Sequence, residues 1–185
     1  SLNKSEFFNP AKLDFYSNQD KICDLDLTQF NTDIEKYTTL KRSSLIKILK
    51  NKLFSNLIRF NKTIEGVEQN QNNIKINFTD GETEEVDYLV VSDGVFSNTK
   101  SIIENKNHKP SYYGAVAVRT IVNREEVKNF DKNNISLLMS SNAHAVLYAI
   151  NEKEHNLVTT IRSKIQNFEK INNLDFIKAS LKNSI

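Results

Sequence analysis

The chain has 185 residues, a formal net charge of +2 and 26% charged residues, enough for one ordinary domain or parts of two larger ones. Cys23 is its only cysteine, so neither an internal disulfide nor a cysteine-rich zinc cluster can be assembled, which fits a reducing compartment. The near-neutral balance argues against nucleic acid as the main partner, and no apolar run approaches the roughly 18 residues that a membrane helix needs.

Four glycines, at 66, 81, 94 and 114, stand too far apart to write a G-x-G-x-x-G fingerprint or a P-loop. The chain opens Ser1-Leu2-Asn3, and its sole methionine is Met139, so it reads as an interior piece of a longer protein. Its 25 Asn and 20 Lys against 5 Arg fit the bias of an AT-rich genome better than a functional pattern.

The first periodic segment is Tyr37 to Leu53, where Leu45, Ile48, Leu49 and Leu53 recur at helical spacing and the lysines fall mostly off that stripe. Strand-like runs follow at Asn56 to Val67 and Ile74 to Phe78, with Asp80-Gly81 predicting a hairpin turn. The returning strand, Glu85 to Ser92, contains the apolar run Tyr88-Leu89-Val90-Val91 and predicts a strand buried on both faces. It breaks at Ser92-Asp93-Gly94, and Ser97 is placed to cap a short helix reaching Glu104. Beyond Pro110, strands are expected at Tyr112 to Val122, His144 to Ile150 and Leu157 to Ile161. A weak helical pattern (Leu174, Ile177, Leu181) closes the chain.

Catalytic constellations of the hydrolytic kind are missing. No G-x-S-x-G elbow surrounds a serine, and the three histidines show no metal-ligand spacing, so no metal site is predicted. Cys23, in Lys-Ile-Cys-Asp-Leu, reads as a small buried residue rather than a nucleophile, and His144 as a sheet histidine. What stands out is Asp93-Gly94 at the end of an apolar run: a carboxylate leaving a strand, followed by a residue that lets backbone approach a ligand closely.

The neighbours of that dipeptide extend the pattern. Phe78-Thr79-Asp80-Gly81, then Asp87-Tyr88-Leu89-Val90-Val91-Ser92-Asp93-Gly94 with Ser97 and Lys100, resembles a segment of the FAD-dependent aromatic hydroxylases, the single-component flavoprotein monooxygenases. In the same order, Arg42 with Leu45 and Leu49 is similar to that family's helix start. Pro110, Tyr112 and Gly114 with Arg119 are similar to its next motif, and Tyr148-Ala149-Ile150 followed by Asn156-Leu157-Val158 to a strand pair. The match spans about residues 5 to 165. It departs from the family at Val91-Ser92, where a Gly-Ala pair is usual, at Lys100 for arginine, at Ser44 for an acid and at Ala149 for proline.

The resemblance implies an α/β FAD-binding, Rossmann-like domain, incomplete here, carrying an α+β part with an antiparallel substrate-binding sheet. The expected division is residues 1–109 for the first and 110–185 for the second. It implies FAD and NAD(P)H as cofactors, with Arg42, Ile64 (through its backbone), Asp93, Gly94 and Ser97 on the cofactor side and Arg119 and Tyr148 on the substrate side. The implied reaction is hydroxylation of a small aromatic or quinone-precursor ring, in the cytoplasm, with peripheral membrane contact and oligomeric state left open. The flavin performs the difficult chemistry, so no protein nucleophile is required. Two rival readings remain at this point: a reductase or halogenase of the same fold, and a non-catalytic binding module that has lost the flavin. Without a glycine-rich turn, the 185 residues alone are expected to bind FAD poorly and to be inactive.

Overall fold

A computed structural model describes residues 4–17 and 20–164. In chain order, β1 (Phe7–Phe8), β2 (Lys12–Ser17), β3 (Asp20–Asp26) and β4 (Thr39–Leu40) precede helix α1 (Arg42–Asn51). Next come β5 (Ile64–Gln69), β6 (Ile74–Phe78), β7 (Thr83–Val86) and helix α2 (Asn98–Glu104). The last strands are β8 (Ala115–Asn123), β9 (Ile135–Met139), β10 (Ala143–Ala149) and β11 (Glu154–Arg162). The architecture is sheet-dominated with few helices.

These elements form two compact units. One joins the segment ending at Lys52 to the segment starting at Tyr113; the other is Leu53–Tyr112. A single cut between 109 and 110 divides the chain differently, because β2 and β3 belong to the same sheet as β8 to β11. That sheet has the order β3-β2-β9-β10-β11-β8, antiparallel throughout except that β2 runs parallel to β9.

Strand β10 shows how this sheet is specified. Ala143, Ala145, Leu147 and Ala149 are buried on one face, while Val146 and Tyr148 on the other are only partly covered. The turn into β11 is fixed by Asn151, whose Oδ1 accepts from the backbone amides of Lys153 (2.8 Å) and Glu154 (2.9 Å). On β2, Asp14 is 1% exposed, beside Ser136 of β9. Lys21 Nζ lies 2.8 Å from its Oδ1, and Asn134 donates to its Oδ2 at 2.8 Å, so the buried charge is compensated from both sides.

The smaller unit is a meander, β5-β6-β7, with α2 following it. The hairpin turn at Asp80-Gly81 is present, Gly81 taking φ +84°. Strand β6 has the expected bounds, but Ser55–Leu57 forms a 3₁₀ turn where a strand was expected, and β5 begins only at Ile64.

Two burial expectations are corrected. The run Tyr88 to Val91 is not a doubly buried strand: β7 ends at Val86, and Tyr88 and Val90 are 90% and 85% exposed. Among the described residues this run pairs with no strand, and an apolar run without ladder partners has nothing to bury it. Cys23 is exposed rather than buried, because β3 is an edge strand with every residue exposed. Helix α1 forms within the predicted segment, yet Leu45, Leu49 and Leu53 of its stripe region stay about half exposed. The helical pattern expected at Leu174, Ile177 and Leu181 lies outside the described residues. No helix among the described residues is long and apolar enough to cross a membrane.

Candidate functional site

In the larger unit, a cleft of about 500 Å³ lies between the start of α1 and the partly covered face of the six-stranded sheet. Lys41 and Arg42 line it from the helix, and Arg119, Ile121, Tyr148 and Asn156 from β8, β10 and β11. Register explains the convergence. Tyr148 pairs with Asn156 and Asn156 with Ile121, so the three form one row across β10, β11 and β8; Arg119, opposite Val158, stands one row along the same face. Arg42, Arg119 and Tyr148, separated by up to 106 positions in sequence, thus share one cavity.

The cleft is electrostatically one-sided. It is lined by three basic side chains, and none of the lining residues is acidic. Lys41 is neutralised by Glu154, with Nζ and Oε2 2.6 Å apart. Lys41, helped by the Asn151 amide, holds the Glu154 carboxyl below its usual range. Arg42 and Arg119 have no hydrogen-bond or ion-pair partner among the described residues. Arg42 also opens α1 at its positive end, with no acid in the first turn, so helix dipole and guanidinium repel one another unless an anion lies nearby. Asn156 Nδ2 donates to Tyr148 Oη at 2.8 Å, which orients the phenol and leaves its hydroxyl hydrogen free for a ligand.

An apolar slot of about 510 Å³ adjoins this cleft and shares Leu40 and Tyr148 with it. Leu13, Ile135, Leu137 and Val146 line it from three adjacent strands, and the strap-like segment Tyr37 to Leu40 lines it as well. That strap is tied down by Thr39, whose Oγ1 donates to the Ala149 carbonyl at 2.6 Å. Sequence reasoning missed the slot, since β2 and β9 were not foreseen. Asn156 was legible: two strands joined by the Asn151–Lys153 turn set it opposite Tyr148.

The smaller unit has its own cavity, about 540 Å³, lined by Val91 to Gly94, Ser97, Lys100, Ile103 and Glu104. Gly94 adopts φ +85°, and a Cβ built on it would meet nothing within 4 Å. The Ser97 amide donates to the Gly94 carbonyl (3.1 Å), and Ser97 Oγ caps α2 by accepting from the Lys100 amide (3.0 Å). Hydrogen bonds from Ser97, then Thr99, keep the Asp93 carboxyl below its ordinary value, so it is ionised at neutral pH. Ile64 begins β5, half-buried opposite Phe78, and lines none of these three cavities. Among the described residues no cluster of His, Cys, Asp and Glu is placed to hold a metal ion. His144 is exposed on β10; the buried histidine is His155, 1% exposed.

No protein-family model matches the chain. A flavin-dependent monooxygenase of Legionella longbeachae is 33% identical over 66 residues, 36% of this chain and 17% of the relative. A second flavin-dependent monooxygenase, from an unidentified prokaryote, is 24% identical over 102 residues, 55% of this chain and 25% of the relative. Among solved structures, Klebsiella pneumoniae HpxO complexed with FAD and uric acid superposes with a TM-score of 0.78 at 13% identity. The match covers 98% of this chain and 48% of HpxO, so the chain spans about half the length of that protein. In sequence the chain is similar to flavin-dependent monooxygenases, and its fold is that of the matching part of HpxO.

Proposed function

We propose that the protein containing this chain is an FAD-dependent monooxygenase that uses NAD(P)H and O₂ to hydroxylate an aromatic or quinone-precursor ring. The carrying observation is the cleft where two unneutralised arginines stand beside an apolar slot, on a fold shared with a protein complexed with FAD. The residues fit such a cofactor. Arg42 offers an uncompensated guanidinium at a helix start, and Gly94 offers backbone approachable without a Cβ.

In this reading Arg42 is a cofactor contact of the larger unit, and Asp93, Gly94, Ser97 and the backbone at Ile64 are cofactor contacts within the smaller one. The Leu53–Tyr112 unit belongs to an incomplete Rossmann-like FAD-binding part, and the six-stranded sheet is the substrate platform. FAD, when bound, supplies the redox chemistry. The chain's own residues bind and orient. Arg42 places positive charge against an anionic cofactor, and Tyr148, locked by Asn156, donates toward the ring. The segment Tyr37 to Leu40, anchored through Thr39, forms one wall of the apolar slot.

The test uses the full-length protein. It should purify with, or take up, FAD and consume O₂ with NAD(P)H when an aromatic substrate is added. R42Q should weaken FAD binding by roughly tenfold or more, the usual loss for a hydrogen bond to a charged group. A full-length protein that takes up no FAD, or whose O₂ uptake responds to no aromatic or quinone-precursor compound, refutes the reading.

A further inference from the structure

Arg42 is a cofactor contact in the reading above, yet its own helix does little to fix it. Its side chain is exposed, Lys41 caps α1 without a side-chain hydrogen bond, and the first turn holds no acid. We infer that Glu154, where the β10–β11 hairpin enters β11, is the positioning residue for Arg42: acting through Lys41, it clamps the start of α1 to the six-stranded sheet and so sets the guanidinium in the cleft. The inference rests on the reading of Arg42 as a cofactor contact and deepens it.

The hairpin is a well-braced anchor. Asn151, itself buried, accepts from the amides of Lys153 and Glu154, and the Ile150 amide donates to the Glu154 carbonyl at 2.9 Å. The Arg124 amide donates to the Lys153 carbonyl at 2.8 Å, which ties the turn to the end of β8 as well. Asn151 Nδ2 also donates to Glu154 Oε2 at 2.6 Å, so the carboxylate is oriented independently of Lys41. Lys41 Nζ lies 2.6 Å from that same oxygen. Two residues before Lys41, Thr39 donates to the Ala149 carbonyl of the same hairpin at 2.6 Å. The segment leading into α1 is thus stitched to one hairpin at two points, and Arg42 is the next residue. All of these groups belong to the larger unit.

Two simpler roles for Glu154 carry different expectations. A half-exposed ion pair that only added stability would leave ligand affinity alone. A carboxylate that only screened Lys41 would weaken anion binding, because Lys41 lines the cleft with Arg42 and Arg119; removing it would free a third cation and tighten binding. Positioning predicts the opposite sign. Without Glu154 the start of α1 is released, and the ligand must itself order Arg42, which costs affinity.

FAD titrated into flavin-free full-length protein, followed by fluorescence quenching, separates the three roles. E154Q should weaken FAD binding by about threefold to fivefold, with the urea midpoint little changed. K41M should do the same, and E154Q/K41M should lose no more than either alone. In the R42Q background, E154Q should leave FAD affinity unchanged, because a residue that acts through Arg42 has nothing left to position. Hydrogen exchange on the flavin-free protein should show the amides of Leu45 to Ile48 exchanging faster in E154Q than in the unsubstituted protein, with the sheet unaffected. Unchanged or tighter FAD binding in E154Q, a loss that persists in full in the R42Q background, or unaltered exchange in α1 overturns the inference. Failure of the unsubstituted protein to take up FAD overturns the flavoenzyme reading instead, and the exchange comparison still decides whether Glu154 holds the helix.

Discussion

Gly94 and Gly81 make a matched pair for testing the cofactor role of the smaller unit. Both are left-handed, at φ +85° and +84°, and a Cβ on either would meet nothing within 4 Å. Substitution by alanine therefore adds no clash in the free protein. It adds only the backbone strain of an L residue in that region, roughly 1–2 kcal/mol, less about 0.4–1 kcal/mol from the reduced freedom of the unfolded chain. G81A and G94A should each destabilise by about 1 kcal/mol in urea unfolding of the full-length protein. They should part company in cofactor binding. Gly81 is the hairpin turn between β6 and β7, whereas Gly94 lines the cavity with Asp93 and Ser97. A methyl group at 94 would stand where the cofactor's backbone contact is proposed. G94A should weaken binding of FAD or NAD(P)H by at least tenfold, read by flavin fluorescence quenching and by nicotinamide titration, while G81A leaves both unchanged. G94N, which tolerates the left-handed region, should recover stability without recovering affinity. Equal losses of affinity in G81A and G94A, or none in either, refute a cofactor contact at Gly94.

Two further outcomes follow from the same structure. S97A removes the α2 cap at a cost of about 1 kcal/mol, and it removes the first of the hydroxyls that hold the Asp93 carboxyl down. An NMR titration should show the Asp93 pKa rising toward its ordinary value, and an unchanged titration would rule out that hydrogen bond. His155 is buried, with its Nε2–H donating to the Lys132 carbonyl at 3.1 Å, and burial is the leading cause that pushes its pKa below 6.5. The unfolded chain then binds the extra proton first. Stability from this group is full above pH 6.5 and is lost as pH falls from 6.5 toward the lower folded-state value. The urea midpoint of the full-length protein should drop between pH 7 and pH 5, and H155Q should flatten that drop; the lowered carboxyls of Asp93 and Glu154 act only at more acid pH.

Local chemistry was legible in the sequence where one short segment determines it. The Ser97 cap, the Asp80-Gly81 turn, the bounds of β6 and the β10–β11 hairpin all depend on residues within a few positions of one another. Strands β2 and β9 were not legible, because they pair in parallel across some 120 positions and neither alternates cleanly. Asp14 puts a charge at a buried site in β2, and Ile135–Met139 reads as a short mixed run. Tyr88 to Val91 misled for the opposite reason: composition fits a buried strand, but composition supplies no partner. Arg42, Arg119 and Tyr148 were each picked out singly. That they share a cleft depends on the order β10-β11-β8 and its register, which no local pattern encodes.

Compensation separates structural breaches of local rules from candidate binding groups. Asp14 is a charge in a sheet core, yet Lys21 and Asn134 both reach it, and Asp24 helps hold Lys21, whose pKa is raised above its usual range chiefly by Asp14. That breach is closed within the chain and asks for no ligand. Arg42 at the positive end of α1 and Arg119 on β8, both exposed, find no carboxylate among the described residues, although Lys41, next in sequence to Arg42, finds Glu154. One of three neighbouring cations is neutralised within the chain, and the other two, both exposed, line a common cleft; the proposed function reads that arrangement as a place for anions the chain does not itself supply.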